Sequence, residues 1–312
     1  MIGLSITKER QCYKDWVNRA LSEPLEDRYT AVTVLRNDAL ENGGEEFIEE
    51  ELAVAAALAV SVLDQGKKAI RYLDDAILSS DPYNALATAI EKAGNIMRAS
   101  FSVNKTEEIV TKNISSLLDK GSIAATGDSS LLRNFYRREA IIKNMIDASK
   151  YYTNNYFNNQ VVPSLIKEIN KIIDTAGSTS TQEWGTIRDL MDKRLKTVPY
   201  WRVVANSAAS RAYHYGVVKA GQLSKKRGYR IKATIDSKTS DICRKLNGKE
   251  FWLSDAVNLM ESVLKSQPED VKFTHPWVNF KDVENKNNRQ LASEGIIMPP
   301  FHGNCRTTIE LF

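Results

Sequence analysis

The sequence has 312 residues, of which 42% are hydrophobic and 26% are charged, and its net charge is +4. This composition excludes a collagen-like or wholly disordered chain and is typical of a globular protein with one or two domains. Three cysteines are too few for a disulfide framework and indicate a reducing compartment. The longest apolar run, Leu52 to Leu63, is too short to span a bilayer, which takes about 20 residues.

Residues 1–197 are predicted to form a mainly helical region. Apolar residues after Pro82 and Pro163 recur at helical spacing, and Ser180 to Glu183 fits a capping box at the start of a further helix. Two segments rich in Gly, Ser and Thr, Lys120 to Ser130 and Ala176 to Thr181, predict linkers. These patterns are typical of helix packing, and no catalytic motif accompanies them.

Residues 198–312 are predicted to form a small domain with one long helix and an antiparallel sheet. The helix is expected from Trp201 to Arg227, with Gly228 as its C-terminal cap. Alternating apolar and polar residues from Tyr229 to Asp236 predict a strand, and Asn247-Gly248 predicts a turn. The other predicted strands are Lys249 to Leu253 and Arg306 to Phe312. The predicted fold class is therefore α+β.

Positive charge is concentrated in the C-terminal third. Residues 201–312 contain 18 basic and 11 acidic residues, whereas residues 1–200 contain 25 basic and 28 acidic ones. The segment from Lys219 to Lys249 holds ten cations and two anions, which favours contact with nucleic-acid phosphates, independent of sequence. An ordinary solvated surface is the alternative. The predicted DNA-binding residues are Lys225, Lys226, Arg227, Arg230 and Lys232.

Cysteine, histidine and aspartate residues gather in two short segments that flank predicted strands. The first runs from Asp236 to Cys243 and the second from Pro299 to Arg306. His302 and Cys305 are three residues apart, a spacing that suits one metal ion, and Cys243 is a third candidate ligand. The candidates for the fourth ligand of a structural zinc site are His275, Asp236 and Asp241.

Two other interpretations of these cysteines stay open. In one, Cys243 and Cys305 form a disulfide, which requires a Cα separation of about 5.5–6 Å. In the other, they are small buried thiols in a β core, and His302 is hydrogen-bonded to a loop. Structural zinc is thus one of three interpretations, and no other cofactor is indicated.

An enzymatic interpretation uses the same residues. Cys, His and Asp are the components of a nucleophilic thiol site, while Asp236, Asp241 and His302 suit a metal-dependent nuclease. No HExxH or Walker signature accompanies them. A structural, non-catalytic protein is therefore expected, and a nuclease or nucleotide-modifying effector carried in a particle is the alternative.

The motifs of this region resemble the C-terminal domain of the phage Mu F-like minor head proteins, also called phage head morphogenesis proteins. The resemblance covers residues 200–312. In chain order, the motifs are Asp236-x-x-Thr239-Ser240-x-x-Cys243, Leu246-x-Gly248-Lys249-x-Phe251 and Pro299-Pro300-x-His302-x-Asn304-Cys305-Arg306.

The resemblance implies a minor structural protein of a tailed phage or prophage. Such a protein is made in the host cytoplasm, lies inside the head in few copies, and is associated with the portal. Roles in head assembly and in genome packaging or ejection are implied, with double-stranded DNA as a further partner and no membrane. The helical region is expected to dock on the portal or the inner capsid wall.

Seven residues of the motifs are expected to hold the C-terminal fold together. Among them, Asp236 and Arg306 are expected to form an internal ion pair. Truncating one partner of a buried pair costs about 3–5 kcal/mol, so Asp236→Ala is expected to lower the melting temperature. The full set is Asp236, Thr239, Cys243, Gly248, His302, Cys305 and Arg306.

Overall fold

The computed structural model describes residues 104–128, 130–133, 137–156 and 198–312, apart from Lys238 and Asn304. It also describes scattered helical positions between 50 and 92 and between 159 and 171. Most described residues belong to one compact unit made of residues 40–55, 108–151 and 202–312. The predicted division of the chain at residue 197 stays a prediction, because most of the first 197 residues lie outside the described part.

Two long helices precede the C-terminal region. Helix α1 spans Asn104–Thr126, α2 spans Ser130–Arg133 and α3 spans Arg138–Tyr156. The buried side chains of α1 recur every three or four residues, which is the spacing of one helical face. The Arg138 guanidinium of α3 binds the Asp119 carboxylate of α1 with N–O distances of 2.8 and 3.0 Å. An apolar face and an ion pair therefore join α1 to its neighbours.

The linker predicted from Lys120 to Ser130 is wrong as far as Thr126, because α1 continues to that residue. Its small residues serve helix packing instead. A Cβ atom on Gly121 would overlap the carbonyl oxygen of Tyr213 in the next long helix. Residues that indicate a loop in the sequence thus permit two helices to approach backbone to backbone.

Helix α4 (Val198–Leu223) lies at the centre of the compact unit. Every residue from 204 to 221 is buried, which indicates that neighbours surround this helix. A Cβ atom on Gly216 would overlap the Leu118 carbonyl oxygen of α1. Gly221, near the other end, lies against the side chains of Leu253 and Leu311.

The end of α4 differs from the prediction. The helix stops at Leu223 rather than at Arg227, and Lys225 has a left-handed backbone with φ of 56°. The Lys226 N–H donates to the Gly221 carbonyl at 2.9 Å and the Lys225 N–H donates to Gln222 at 3.1 Å. These two bonds form a Schellman motif. The predicted cap is therefore wrong, because Lys225 takes the left-handed position that glycine usually occupies.

Three antiparallel strands follow, as predicted. Strand β1 is Gly228–Lys232, β2 is Glu250–Trp252 and β3 is Thr308–Leu311, in the order β2-β1-β3. Within β1, Tyr229 and Ile231 are buried, whereas Arg230 and Lys232 are exposed, so the sheet has one core face and one solvent face. The α+β fold class is confirmed, although β1 ends four residues before Asp236.

Short helices fill the connections of the sheet. Helix α5 is Asp241–Leu246, α6 is Leu253–Lys265, α7 is Val271–Thr274 and α8 is Asn288–Ser293. Two 3₁₀ turns, Pro268–Asp270 and Phe280–Asp282, lie between them. The peptide bond between Pro299 and Pro300 is cis. Helix α5 and the segment after Pro300 carry the residues of the candidate site.

Two predictions for the first 200 residues lie outside the described part: the capping box at Ser180 to Glu183 and the linker at Ala176 to Thr181. Within the apolar run, Ala53, Val54 and Ala57 are helical, and the last two are buried. None of the described helices is long and apolar enough to cross a membrane.

Candidate functional site

The loop after β1 is organised around Asp236. The Asp236 N–H donates to the Thr239 hydroxyl oxygen at 2.7 Å, and that hydroxyl lies 3.0 Å from the Asp236 carboxylate. The Arg244 guanidinium donates to the backbone carbonyls of Asp236 and Thr239. This closed turn directs the Asp236 carboxylate towards the segment that precedes β3.

Arg306 meets the Asp236 carboxylate with both guanidinium nitrogens. The Nη1–Oδ2 distance is 2.7 Å and the Nη2–Oδ1 distance is 2.6 Å, so the expected ion pair forms and is bidentate. The side chains are 22% and 38% exposed for Arg306 and Asp236. Because water reaches both groups, the expectation of about 3–5 kcal/mol for a buried pair is too large.

Gly248 closes the turn between α5 and β2. Its φ is 80°, a left-handed value that suits glycine. Its N–H donates to the Ile231 carbonyl at 2.8 Å, and the neighbouring Asn247 amide oxygen accepts from the Ala233 N–H at 2.9 Å. Both bonds fix the end of α5 against β1.

Helix α5 turns Cys243 into the interior. The Ser240 hydroxyl caps this helix by accepting the Cys243 N–H at 3.2 Å. Cys243 is 3% exposed and Cys305 is fully buried. Two cysteines far apart in the sequence are therefore brought to one place, as their positions next to predicted strands indicate.

His302 joins the two cysteines in what we call the thiol–imidazole cluster, consisting of Cys243, His302 and Cys305. The two Sγ atoms are 3.8 Å apart, and the His302 Nε2 atom lies 3.1 Å from Cys243 Sγ. On the other side of the ring, Nδ1 lies 2.8 Å from the Gly303 carbonyl. Ser240, which the motif of this segment includes but which was not among the predicted ligands, places its hydroxyl 2.8 Å from Nε2.

Hydrogen bonding concentrates negative charge on one sulfur of the cluster. Hydrogen bonds from Cys305 and from His302 lower the pKa of the Cys243 thiol, against the opposing effect of burial. The bond to Cys243, together with burial, raises the pKa of the Cys305 thiol. The bond to Cys243 also raises the pKa of His302. Cys243 is thus the residue at which a thiolate is favoured.

The structure separates the interpretations that the sequence left open. Cys243 and Cys305 are free thiols, and 3.8 Å exceeds the roughly 2.05 Å of a disulfide bond. In the described part of the chain, one group of potential metal ligands converges, and it consists of Cys243, His302 and Cys305. Their ligand atoms lie within 4.8 Å of one another. Asp236 and Asp241 do not belong to this group.

His275, the other candidate for a fourth ligand, lies elsewhere in the core. It is buried, and its Nε2 atom is 2.7 Å from the Met298 carbonyl. Burial lowers the pKa of His275 to about 3, which keeps the ring neutral. The structure therefore brings together neither the four-residue zinc set nor the Asp–Asp–His set of the nuclease hypothesis.

The predicted DNA-binding residues fall into two groups, exposed cations and one arginine that contacts a carboxylate. Lys225, Lys226 and Arg227, which we call the basic turn, are exposed between α4 and β1, and Lys232 is exposed on β1. Arg230 is different, because its guanidinium contacts the Glu250 carboxylate at 2.5 and 3.0 Å. Glu310 lies opposite Arg230 on the other neighbouring strand.

An exposed tryptophan borders the basic turn. Trp252 is 66% exposed, and the next residue, Leu253, donates its N–H to the Arg227 carbonyl at 3.0 Å. On the other flank, the Arg227 N–H donates to the Phe312 carbonyl at 3.1 Å. The sequence alone does not predict this proximity, because the register of β2 and β3 against β1 creates it.

Comparison with known proteins gives the class of the C-terminal region. Residues 175–310 match the family model described as Phage Mu protein F like protein. The match, which covers less than half of the chain, confirms the resemblance drawn from the motifs. It indicates a protein of phage head morphogenesis and implies a location in the virion. No curated protein and no solved structure shows significant similarity to the chain.

Proposed function

We propose that this chain is a minor head protein that associates with the portal, acts in genome packaging or ejection, and contacts double-stranded DNA through its basic turn. The family match at residues 175–310 is the observation that carries the proposal. It indicates head morphogenesis, and a protein inside a head is surrounded by packaged DNA. An accessible cluster of cations is then the feature through which such a protein meets DNA phosphates.

The basic turn is suited to phosphates by its exposure and its fixed backbone. Its three consecutive cations project at the Schellman turn, between a buried helix and the central strand. The described residues provide no carboxylate partner for these three side chains. Arg230 contributes less, because Glu250 and Glu310 oppose its charge. Backbone phosphates carry no sequence information, so the contact is independent of sequence.

A gel-shift assay with supercoiled plasmid across a salt series tests the DNA contact. We expect a salt-sensitive shift and an intact plasmid, with and without divalent metal. Replacing Lys225, Lys226 and Arg227 by Ala is expected to reduce the slope of log K against log salt by about 2.7, since each neutralised phosphate contributes about 0.9.

Arg230→Ala is the matched control, because it removes one exposed cation from the same surface. Its slope is expected to stay close to that of the unmodified protein, since carboxylates already oppose this charge. A triple variant that binds like the unmodified protein would contradict the role of the basic turn. Metal-dependent nicking of the plasmid would favour the nuclease alternative instead.

Portal association is tested separately, in particles made by the phage or prophage that encodes the chain. We expect chemical cross-linking inside intact heads to join peptides of this chain to the portal protein. Cross-links confined to the major capsid protein would place the chain on the capsid wall and contradict this part of the proposal.

A further inference from the structure

We propose that the thiol–imidazole cluster binds one Zn²⁺ ion, with Cys243, His302 and Cys305 as protein ligands and the Ser240 hydroxyl at the fourth position. This site goes beyond the head function and does not depend on DNA contact. Its ligands come from helix α5 and from the segment before β3, so the ion would join two parts of the chain about 60 residues apart.

The positions of the sulfur atoms fit a tetrahedral zinc ion. With Zn–S bonds of about 2.3 Å, two thiolates in a tetrahedron lie about 3.8 Å apart. Cys243 Sγ and Cys305 Sγ are separated by 3.8 Å. The sulfur–nitrogen edge of the same tetrahedron is about 3.6 Å, whereas Cys243 Sγ and His302 Nε2 are 3.1 Å apart. The remaining pair, Cys305 Sγ and the His302 ring nitrogen, lies within 4.8 Å, so zinc binding requires the half-buried imidazole to move away from Cys243 and towards Cys305.

The surroundings orient the ligand atoms inward. His302 uses Nδ1 to contact the Gly303 carbonyl at 2.8 Å, so Nε2 faces the sulfurs. Zinc-bound histidines usually donate their other ring N–H to a carbonyl or carboxylate in this way. The backbone groups of Phe301 and Thr307 hydrogen-bond the Cys305 sulfur. Each of these ligands is therefore held in place by the protein.

The ligand types select the metal. Two thiolates and an imidazole favour zinc over magnesium or calcium, which prefer oxygen ligands. No carboxylate belongs to the convergent group in the described part of the chain. The fourth corner is the weakest, because a serine hydroxyl is a poor ligand. Ser240 is nevertheless the candidate for that corner, because its hydroxyl lies 2.8 Å from Nε2.

Metal analysis of the full-length, reduced protein tests the proposal directly. After incubation with excess zinc and gel filtration, we expect one zinc per chain. Substitution with Co²⁺ is expected to give the visible bands of a tetrahedral site and a thiolate-to-cobalt charge-transfer band. Failure to retain zinc under reducing conditions, or a cobalt complex without thiolate charge transfer, would overturn the proposal, and neither result depends on a variant.

Variants then assign the ligands. We expect Cys243→Ser and Cys305→Ser each to lower zinc affinity by at least about 100-fold, the upper range for loss of even an outer partner. Cys12→Ser, which replaces the third cysteine of the chain, is the matched control and should retain one zinc. Zinc retained by both ligand variants, or lost in the Cys12 control, would overturn the assignment.

Ser240→Cys tests the fourth position through an expected increase in zinc affinity. A thiolate at the fourth corner is expected to raise zinc affinity by at least about tenfold, measured by competition with a chelator. Circular dichroism of the metal-free variants shows that each is folded before its affinity is compared. An affinity for Ser240→Cys equal to or below that of the unmodified protein would contradict the placement of the fourth corner.

Discussion

Two connections join the loop after β1 to the segment before β3, and they differ in their exposure to water and in the groups that form them. The Asp236–Arg306 pair is bidentate but open to water, with side chains 38% and 22% exposed. The thiol–imidazole cluster is largely buried, and its ligand atoms lie within 4.8 Å of one another. A solvated ion pair contributes little free energy, whereas a buried ligand cluster that binds metal contributes its binding energy to folding. The cluster should therefore be the stronger connection.

Removal of zinc should have the largest effect. Free zinc at about 1,000 times its dissociation constant stabilises the folded state by about 4 kcal/mol. At about 2–4 °C per kcal/mol for a unit of this size, a chelator should lower the melting temperature by about 8–16 °C. Differential scanning calorimetry under reducing conditions measures this shift. A melting temperature unaffected by the chelator would show that the cluster stabilises the folded state no more than a surface contact does.

Loss of the ion pair should have a smaller effect. Asp236→Ala removes the bidentate contact and the carboxylate contact of Thr239, and we expect it to lower the free energy of unfolding by about 1 kcal/mol. Urea denaturation of the zinc-bound protein measures the change. A loss of stability as large as the one caused by the chelator would show that the ion pair is as strong a connection as the cluster. An unchanged free energy of unfolding would show that the pair does not stabilise the fold.

The stability of the metal-free protein should depend on pH through the thiol–imidazole cluster. The lowered pKa of Cys243 adds stability that is lost as pH falls towards its folded value, because the unfolded thiol binds the proton. The raised pKa of His302 adds stability that is lost above pH ~6.5, and the raised pKa of Cys305 has the same effect above pH ~8.5. A stability maximum between about pH 6.5 and 8.5 follows.

Urea denaturation of the reduced, metal-free protein across this pH range locates the maximum. Cys243→Ser should flatten the rise on the acid side, because the ionising thiol has been removed. An acid-side slope that persists in Cys243→Ser would assign the titration to another group.

The smallest effect is expected for the Arg230–Glu250 pair on the open face of the sheet. Its side chains are 54% and 49% exposed, so solvent screens the interaction. Arg230→Ala should leave the melting temperature unchanged within error. A measurable loss in calorimetry would show that exposure alone does not rank these contacts.

The sequence predicted those features that depend on local pattern. The alternation of Tyr229, Arg230, Ile231 and Lys232 correctly predicted a half-buried strand. The motif segments lie next to strands, so a meeting of Cys243 with Cys305 was expected, and their sulfurs are 3.8 Å apart. Local periodicity and strand adjacency were sufficient for these inferences.

Features that depend on packing or register were missed. The small residues around Gly121 predict a linker, because small residues resemble a loop when the packed partner helix is unknown. The sequence predicts that α4 ends at Arg227 rather than at Leu223, since a left-handed Lys225 carries no sequence signal. The contact of Ser240 with His302, and the carboxylates around Arg230, become visible only once the strands are paired.

Mass spectrometry of purified particles tests the central claim, that this chain is a head protein, most directly. DNA-filled particles of the phage or prophage that encodes the chain should contain it in a few copies, protected from protease until the head is opened. Absence of the chain from such particles, with the protein abundant in the infected cell, would contradict the account and favour a DNA-binding protein or enzyme that acts outside the virion.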